Sequence, residues 1–123
     1  MKPGKRTRHS FIMVRHDIYD SDAFQSLSPV ARCVWMEIVR RYKGHNNGKI
    51  ILSCREVSLR LRVSKDTASR AFNELIDVGL VSIARHGAFH VKISVAREWK
   101  LNHESCDNRP PTNEWRKFKI RSD

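Results

Sequence analysis

The sequence predicts an α+β domain that is mainly helical, with a short three-stranded sheet and basic extensions at both ends. Three observations predict this class. Apolar residues recur at helical spacing after serines at positions 28, 53 and 64, strand-like alternation follows them, and 123 residues suit one domain. Apolar residues make up 40% and charged residues 30% of the chain, a composition typical of soluble globular proteins.

Residues 1–19 predict a basic N-terminal arm followed by a short extended segment. Residues 1–10 include lysines and arginines but no acidic residue, as is typical of a mobile arm. Phe11–Val14 is a short apolar run that fits a short strand.

Residues 20–101 predict the folded domain, which begins with a helical turn after Ser21 and then a long helix. Ser28 suits the N-cap of that helix, and Pro29 suits its first position because the N–H that proline lacks would be unpaired there. The apolar stripe of the long helix consists of Ala31, Val34, Trp35, Ile38, Val39 and Tyr42.

A glycine-containing loop, a strand and a second helix follow. The loop Gly44–Gly48 fits turn chemistry, since a nucleotide-binding loop needs a preceding strand and a G-K-[ST] sequence that opens a helix. Lys49–Leu52 predicts a short strand. Ser53 and Glu56 predict a capping box, in which each side chain bonds the backbone N–H of the other residue. The apolar side of this helix contains Val57 and Leu61.

A tight turn leads to a third helix, which Ser64 caps and which Gly79 ends in a left-handed conformation. Arg62 occupies a turn position where glycine is common. Either the turn has another geometry, or Arg62 is left-handed at a cost of about 1 kcal/mol. The apolar stripe of the third helix consists of Ala68, Ala71, Phe72 and Leu75.

A hairpin and a C-terminal extension complete the predicted order. Leu80–Ala84 and Phe89–Val95 predict two strands around a turn at Arg85-His86-Gly87. Residues 102–123 predict a polar connector and then a short basic-aromatic helix, which Thr112 would cap.

The formal net charge of +11 favours a polyanionic partner, which could be DNA, RNA or an anionic membrane surface. No apolar run approaches the ~20 residues of a membrane span, and no apolar region follows the basic start as it would in a signal peptide. We therefore expect a cytoplasmic, nucleoid-associated protein without membrane contact. The odd number and wide spacing of the three cysteines predict free thiols. A zinc site needs about four ligands in close pairs, and the sequence has only the H-x-x-C pair His103 and Cys106, so we expect neither a metal nor another cofactor.

The order of helix, strand, helix, turn, helix, strand, turn, strand is that of a winged helix-turn-helix domain. The segment SKDTASRAFNELIDVGLV, residues 64–81, resembles the S-x-x-T-x-x-R-A-x-x-x-L-x-x-x-G-L-[IV] pattern of GntR-type repressors. The starts Ala23-Phe24-x-x-Leu27 and Ser28-Pro29-x-Ala31 are similar to those of the N-terminal domains of phage and plasmid replication initiators. The resemblance implies that Thr67 and Arg70 lie at the DNA, with Arg70 on a base or on a phosphate.

The polar face of the third helix suits base recognition, because arginine can bond guanine O6 and N7 together and asparagine can do the same with adenine N6 and N7. A basic hairpin suits phosphate or minor-groove contact, although a plain exposed hairpin has the same pattern. The predicted DNA contacts are Arg55, Ser64, Lys65, Asp66, Thr67, Ser69, Arg70 and Asn73 in the helices and Arg85, His86 and Lys92 in the hairpin.

The leading hypothesis is therefore sequence-specific binding of double-stranded DNA by a small transcriptional regulator. A homodimer of this regulator is compatible with the sequence. The alternatives are an initiator-like replication or recombination accessory factor, and a module that binds replication or transcription proteins and holds DNA weakly. A nuclease is not expected, because the acidic residues are scattered and the densest group, Asp17, Asp20 and Asp22, falls in a loop and a helix cap.

The sequence allows two roles for each end of the chain. The basic arm fits either disorder or minor-groove insertion. The aromatics Trp115 and Phe118 fit either docking on the core or a helix at the DNA.

Overall fold

The protein is mainly helical, with a three-stranded antiparallel sheet, in a computed structural model that describes residues 9–85 and 97–120. The predicted α+β class is confirmed. In chain order the described residues form helices α1 (His16–Tyr19), α2 (Asp22–Gln25) and α3 (Pro29–Arg41), strand β1 (Ile50–Ile51), helices α4 (Cys54–Leu61) and α5 (Lys65–Asp77), strands β2 (Val81–Arg85) and β3 (Glu98–Leu101), and a 3₁₀ helix (Glu114–Lys117).

The predicted helix starts are confirmed by their capping hydrogen bonds. Ser28 Oγ accepts from the backbone N–H of Ala31, with Pro29 in the first turn of α3. Ser53 and Glu56 form the complete capping box of α4. Because each cap satisfies a backbone N–H that the helix leaves without a partner, these short polar residues determine where the helices begin.

Strand β3 lies in the middle of the sheet and pairs antiparallel with both neighbours, Ile50 standing opposite Trp99 and Val81 opposite Leu101. The strand Glu98–Leu101 was not predicted, although its side chains alternate between half-buried and buried. The strand predicted at Phe89–Val95 lies outside the described residues.

The strand predicted at Phe11–Val14 is wrong, because these residues form no strand in the described part of the chain. Phe11 is 79% exposed and Met13 is 62% exposed. A short apolar run becomes a strand only where another strand can pair with its backbone, and the described strands pair with one another. The chain instead becomes helical at α1, whose Ile18 is buried.

The core brings the helices onto one face of the sheet. Trp99 of β3 stacks on Phe72 of α5, with ring centroids 4.5 Å apart, and its Nε1–H donates to the carbonyl of Leu52 at 2.9 Å. The predicted stripe of α5 is buried along its whole length. None of the helices in residues 9–85 and 97–120 has the length and apolar character needed to cross a membrane.

The segment after Leu101 is tied to the core. Asn102 is buried, donating from Nδ2 to the carbonyl of Gly79 at 2.9 Å and accepting at its own carbonyl from the N–H of Asn113 at 2.8 Å. Trp115 is 2% exposed and Phe118 packs against the core, so the aromatics dock on the protein. The predicted cap at Thr112 is wrong, since the left-handed Asn113 precedes the 3₁₀ helix and makes no side-chain cap.

The loop before β1 contains a buried polar side chain, Asn47. Its Nδ2 donates to the carbonyls of Leu101 at 2.9 Å and Ser105 at 3.0 Å, and its Oδ1 accepts from the N–H of Leu101 at 2.7 Å. Asn47 therefore does more than form a turn: it joins the loop to the end of β3.

Candidate nucleic-acid interface

The junction of α4 and α5 is a turn of three residues that starts at Arg62. Arg62 is left-handed, with φ 58° and ψ 48°, so the second of the two predicted alternatives is the one observed. Ser58 holds the turn from both sides: its carbonyl accepts from the N–H of Val63 at 3.2 Å, and its hydroxyl donates to the Val63 carbonyl at 2.6 Å. These bonds set the direction in which α5 leaves the turn.

One strip of α5 lies directly opposite the buried stripe. Successive residues of a helix are rotated by about 100°, so residues four, three and four apart fall on one line. The exposed residues of that line are Asp66, Arg70, Asn73 and Asp77, which we call the outer strip. Three of the four were predicted DNA contacts.

A small hydrogen-bond network joins the start of α5 to Arg70. Ser64 Oγ accepts from the N–H of Thr67 at 3.0 Å and donates to Thr67 Oγ1 at 3.0 Å. Arg70 Nη2 donates to the same Thr67 Oγ1 at 3.4 Å. Since Thr67 Oγ1 accepts twice, its own hydroxyl hydrogen is left to donate outward.

Several basic side chains of α4 and α5 have no ion pair within the described residues. Arg55, Lys65 and Arg70 are exposed and none of them lies within salt-bridge distance of an acid there. Ser69, another predicted contact, is also exposed. The free positive charges therefore include three of the predicted contacts.

Arg60, in contrast, is used inside the protein. Its guanidinium lies 3.1 Å from Glu37 Oε1, which also pairs with Arg41 at 2.8 Å. Burial raises the pKa of Glu37, but hydrogen bonds from Arg41 and Arg60 lower it more, so the net shift of its pKa is downward. This group holds α3 against α4.

The predicted hairpin contacts are described only in part. Arg85 ends β2, where its backbone stands opposite Glu98 after an irregularity in the strand register. His86 and Lys92 lie outside the described residues.

One flank of α5, between the outer strip and the buried stripe, is anchored by a contact that the sequence did not reveal. The Glu74 carboxylate accepts from the backbone N–H and from the hydroxyl of Ser28, both at 2.8 Å. One carboxylate thus extends the cap of α3 and fixes α5 against it. The partners are 46 positions apart, and no sequence spacing predicts such a pair.

The end of α5 is fixed by a left-handed Gly79, as predicted. The N–H of Leu80 donates to the Leu75 carbonyl at 3.1 Å and that of Gly79 to the Ile76 carbonyl at 3.0 Å. This pair of bonds is a Schellman motif, which satisfies two otherwise unpaired carbonyls and turns the chain into β2.

Asp17 and Asp22, two of the three grouped acidic residues, make structural contacts. They lie in α1 and α2, so the expected loop and helix cap are wrong for these two. Arg15 binds Asp17 with two hydrogen bonds, and this lowers the pKa of the Asp17 carboxyl to about 2. Asp22 accepts from the backbone N–H of Ile120 at 3.0 Å. Within the residues described, no group of three or more His, Cys, Asp or Glu side chains is arranged to hold a metal ion.

His103 and Cys106, the spaced pair of the sequence, are both used in packing. Burial lowers the pKa of His103 to about 4, although Glu104 Oε2 lies 3.5 Å from its Nε2. That carboxylate is partly hydrated and the contact is long, so burial prevails. Burial also raises the pKa of the Cys106 thiol, which donates to the Asn47 carbonyl at 3.3 Å. All three cysteines are free.

Comparison with known proteins gave no match of this chain to a protein-family model, a curated protein or a solved structure.

Proposed function

We propose that this protein binds double-stranded DNA in a sequence-specific way and acts as a small transcriptional regulator, with α5 as its recognition helix. The observation that carries the proposal is the outer strip of α5. It consists of polar and charged side chains that are exposed, while the opposite side of the same helix is held in the core.

The arrangement of the elements supports a winged helix-turn-helix. Helices α4 and α5 are joined by a short turn, and β3 lies between β1 and β2. At 1.5 Å per residue, the 13 residues of α5 span about 20 Å, and a helix fits the ~12 Å major groove. The β2–β3 hairpin would be the wing.

The charge distribution supports a nucleic-acid partner. The net charge is +11, and Arg55, Lys65 and Arg70 have no ion pair within residues 9–85 and 97–120. Lysines and arginines that are free in the protein can replace the counterions of phosphates. Such a protein would act at the nucleoid in the cytoplasm. A homodimer would bind inverted half-sites about one helical turn apart.

An initiator-like replication or recombination factor would use the same helix on DNA, and the selected DNA sequence would distinguish it from a regulator. A protein-binding module is a second candidate. Trp115 is buried and Phe118 half-buried, so these two aromatics form no exposed apolar patch for a partner protein. The exposed apolar residues Phe11, Ile12 and Met13 favour the N-terminal segment as the surface of such a module.

The test is selection of bound duplexes from a random pool at about 150 mM salt, where non-specific electrostatic binding is weak. Affinity for the selected duplex is then measured by fluorescence anisotropy for the wild type and for Lys65→Ala combined with Arg70→Ala. The matched control is Arg40→Ala combined with Lys43→Ala, which removes two exposed positive charges at the end of α3.

We expect the α5 variant to lose at least tenfold in affinity, since base contacts by arginine contribute about 1–3 kcal/mol each. The control should weaken binding far less. Equal affinities of the wild type and the α5 variant would refute α5 as the recognition helix, and a pool without any enriched sequence would refute specific binding.

A further inference from the structure

The outer strip contains an acidic residue at the end where α5 begins, and its position is unusual for a basic protein. Asp66 is exposed in the first turn of α5, in line with Arg70 and Asn73. Within the described residues its carboxylate has no hydrogen bond and no ion pair. A chain with net charge +11 thus places an unpaired negative charge on its proposed DNA-binding face, at the end where α5 begins.

Arg70 does not neutralise this charge. An acid four residues before an arginine is in the favourable order for an ion pair on a helix. Arg70 nevertheless donates to Thr67 Oγ1, and its guanidinium is not within salt-bridge distance of Asp66. The Asp66 carboxylate and the Arg70 guanidinium therefore lie on the same strip of α5 without bonding to each other.

An unpaired carboxylate at the DNA is unfavourable for almost every sequence. A duplex has one phosphate charge per ~1.7 Å of its axis, and these charges repel Asp66. A carboxylate has no hydrogen to donate, so it gains nothing from guanine N7 and O6 or thymine O4. It can accept from a base amino group in the major groove, and the amino group that aspartate typically contacts is N4 of cytosine.

We propose that Asp66 is a specificity-determining residue: it accepts a hydrogen bond from N4 of one cytosine and disfavours duplexes that lack cytosine there. This inference depends on the proposed binding of DNA by α5. Arg70 follows Asp66 by four residues, about 6 Å along the helix axis, and would contact a neighbouring base pair or phosphate.

A purely structural role would have a different signature. An acid in the first turn stabilises a helix through the helix dipole. Loss of that effect would lower the stability of the Asp66→Ala variant and leave its base preference unchanged. Base preference and unfolding by urea must therefore both be measured.

The experiment compares sequences selected from a random pool by the wild type, by Asp66→Ala and by the matched control Asp77→Ala. Asp77 is exposed on the same outer strip but is 11 residues, or about 16 Å, farther along α5. Both variants remove one negative charge, so a general electrostatic effect appears in both. Only a contact with the base appears in Asp66→Ala alone.

We expect the wild type to prefer cytosine at one position by about 5- to 150-fold, the range of a good base contact. The Asp66→Ala variant should lose that preference, keep the others, and bind unrelated duplexes more tightly than the wild type. The Asp77→Ala variant should keep the cytosine.

A second measurement needs no variant. In the selected duplex, the cytosine is replaced by 2-pyrimidinone, which lacks the amino group, and the affinity of the wild type should fall by the same factor. An unchanged preference in Asp66→Ala, or an unchanged affinity for the 2-pyrimidinone duplex, overturns the assignment of Asp66. A pool without any enriched sequence overturns the proposed function and this inference together.

Discussion

Replacement of Gly79 by alanine tests how the C-terminal segment packs on the end of α5. Gly79 has φ 83°, and a Cβ added to it would lie 3.0 Å from both the Glu114 carbonyl carbon and the Trp115 nitrogen. These are backbone atoms, which cannot rotate away as the end of a side chain can. Gly44 supplies the comparison, because its φ is 91° and a Cβ there would meet nothing within 4 Å.

The two substitutions share the cost of the backbone conformation and differ in the packing. A left-handed L-residue costs about 1–2 kcal/mol, of which roughly 0.4–1 kcal/mol is offset because alanine restricts the unfolded chain. Overpacking adds about 1–3 kcal/mol where neighbours cannot move. We therefore expect Gly44→Ala to lower the free energy of unfolding by about 1 kcal/mol and Gly79→Ala by about 2–4 kcal/mol.

The assay is urea unfolding followed by circular dichroism at 222 nm, with both variants and the wild type measured together. The difference between the two variants isolates the contact with residues 114–115. If Gly79→Ala costs no more than Gly44→Ala, the 3₁₀ helix does not pack against Gly79, and the C-terminal segment is not part of the core.

Two further predictions concern polar groups of the core. Glu74→Ala should lower the free energy of unfolding by about 2–3 kcal/mol, because hydrogen bonds to a charged group contribute about 1.5–3 kcal/mol and Ser28 loses both of its bonds to the carboxylate; a loss below about 0.5 kcal/mol, typical of a surface site, would contradict the contact. His103 has a pKa of about 4 instead of 6.5 in the folded protein, so the unfolded chain binds a proton first as the pH falls. The free energy of unfolding should therefore decrease as the pH falls from 6.5 towards 4. Between pH 7.5 and pH 4.5 the decrease should be about 2–3 kcal/mol, and the His103→Gln variant should lack most of it. The same pH dependence in both proteins would show that His103 is not the group responsible.

The sequence by itself determined where α3, α4 and α5 begin and which sides of them are buried. Ser28, Ser53 and Ser64 cap the helices as predicted, and the stripe of α5 is buried as its spacing requires. These features depend on neighbours within one or two helical turns, so residue type and spacing are enough to predict them. The polar strip of α5, which carries the proposed function, follows from the same periodicity.

Only the tertiary structure decided how distant segments meet. Asn47 and Asn102 read as turn residues in the sequence, because asparagine bonds backbone groups in turns as well as in cores. Their partners are 54 and 23 positions away, and nothing local distinguishes the two uses. Likewise, a left-handed Arg62 was one of two alternatives until the bonds of Ser58 to Val63 defined the turn. The orientation of α5 is thus set by the turn bonds between Ser58 and Val63 together with long-range contacts such as that of Glu74 with Ser28, rather than by propensity.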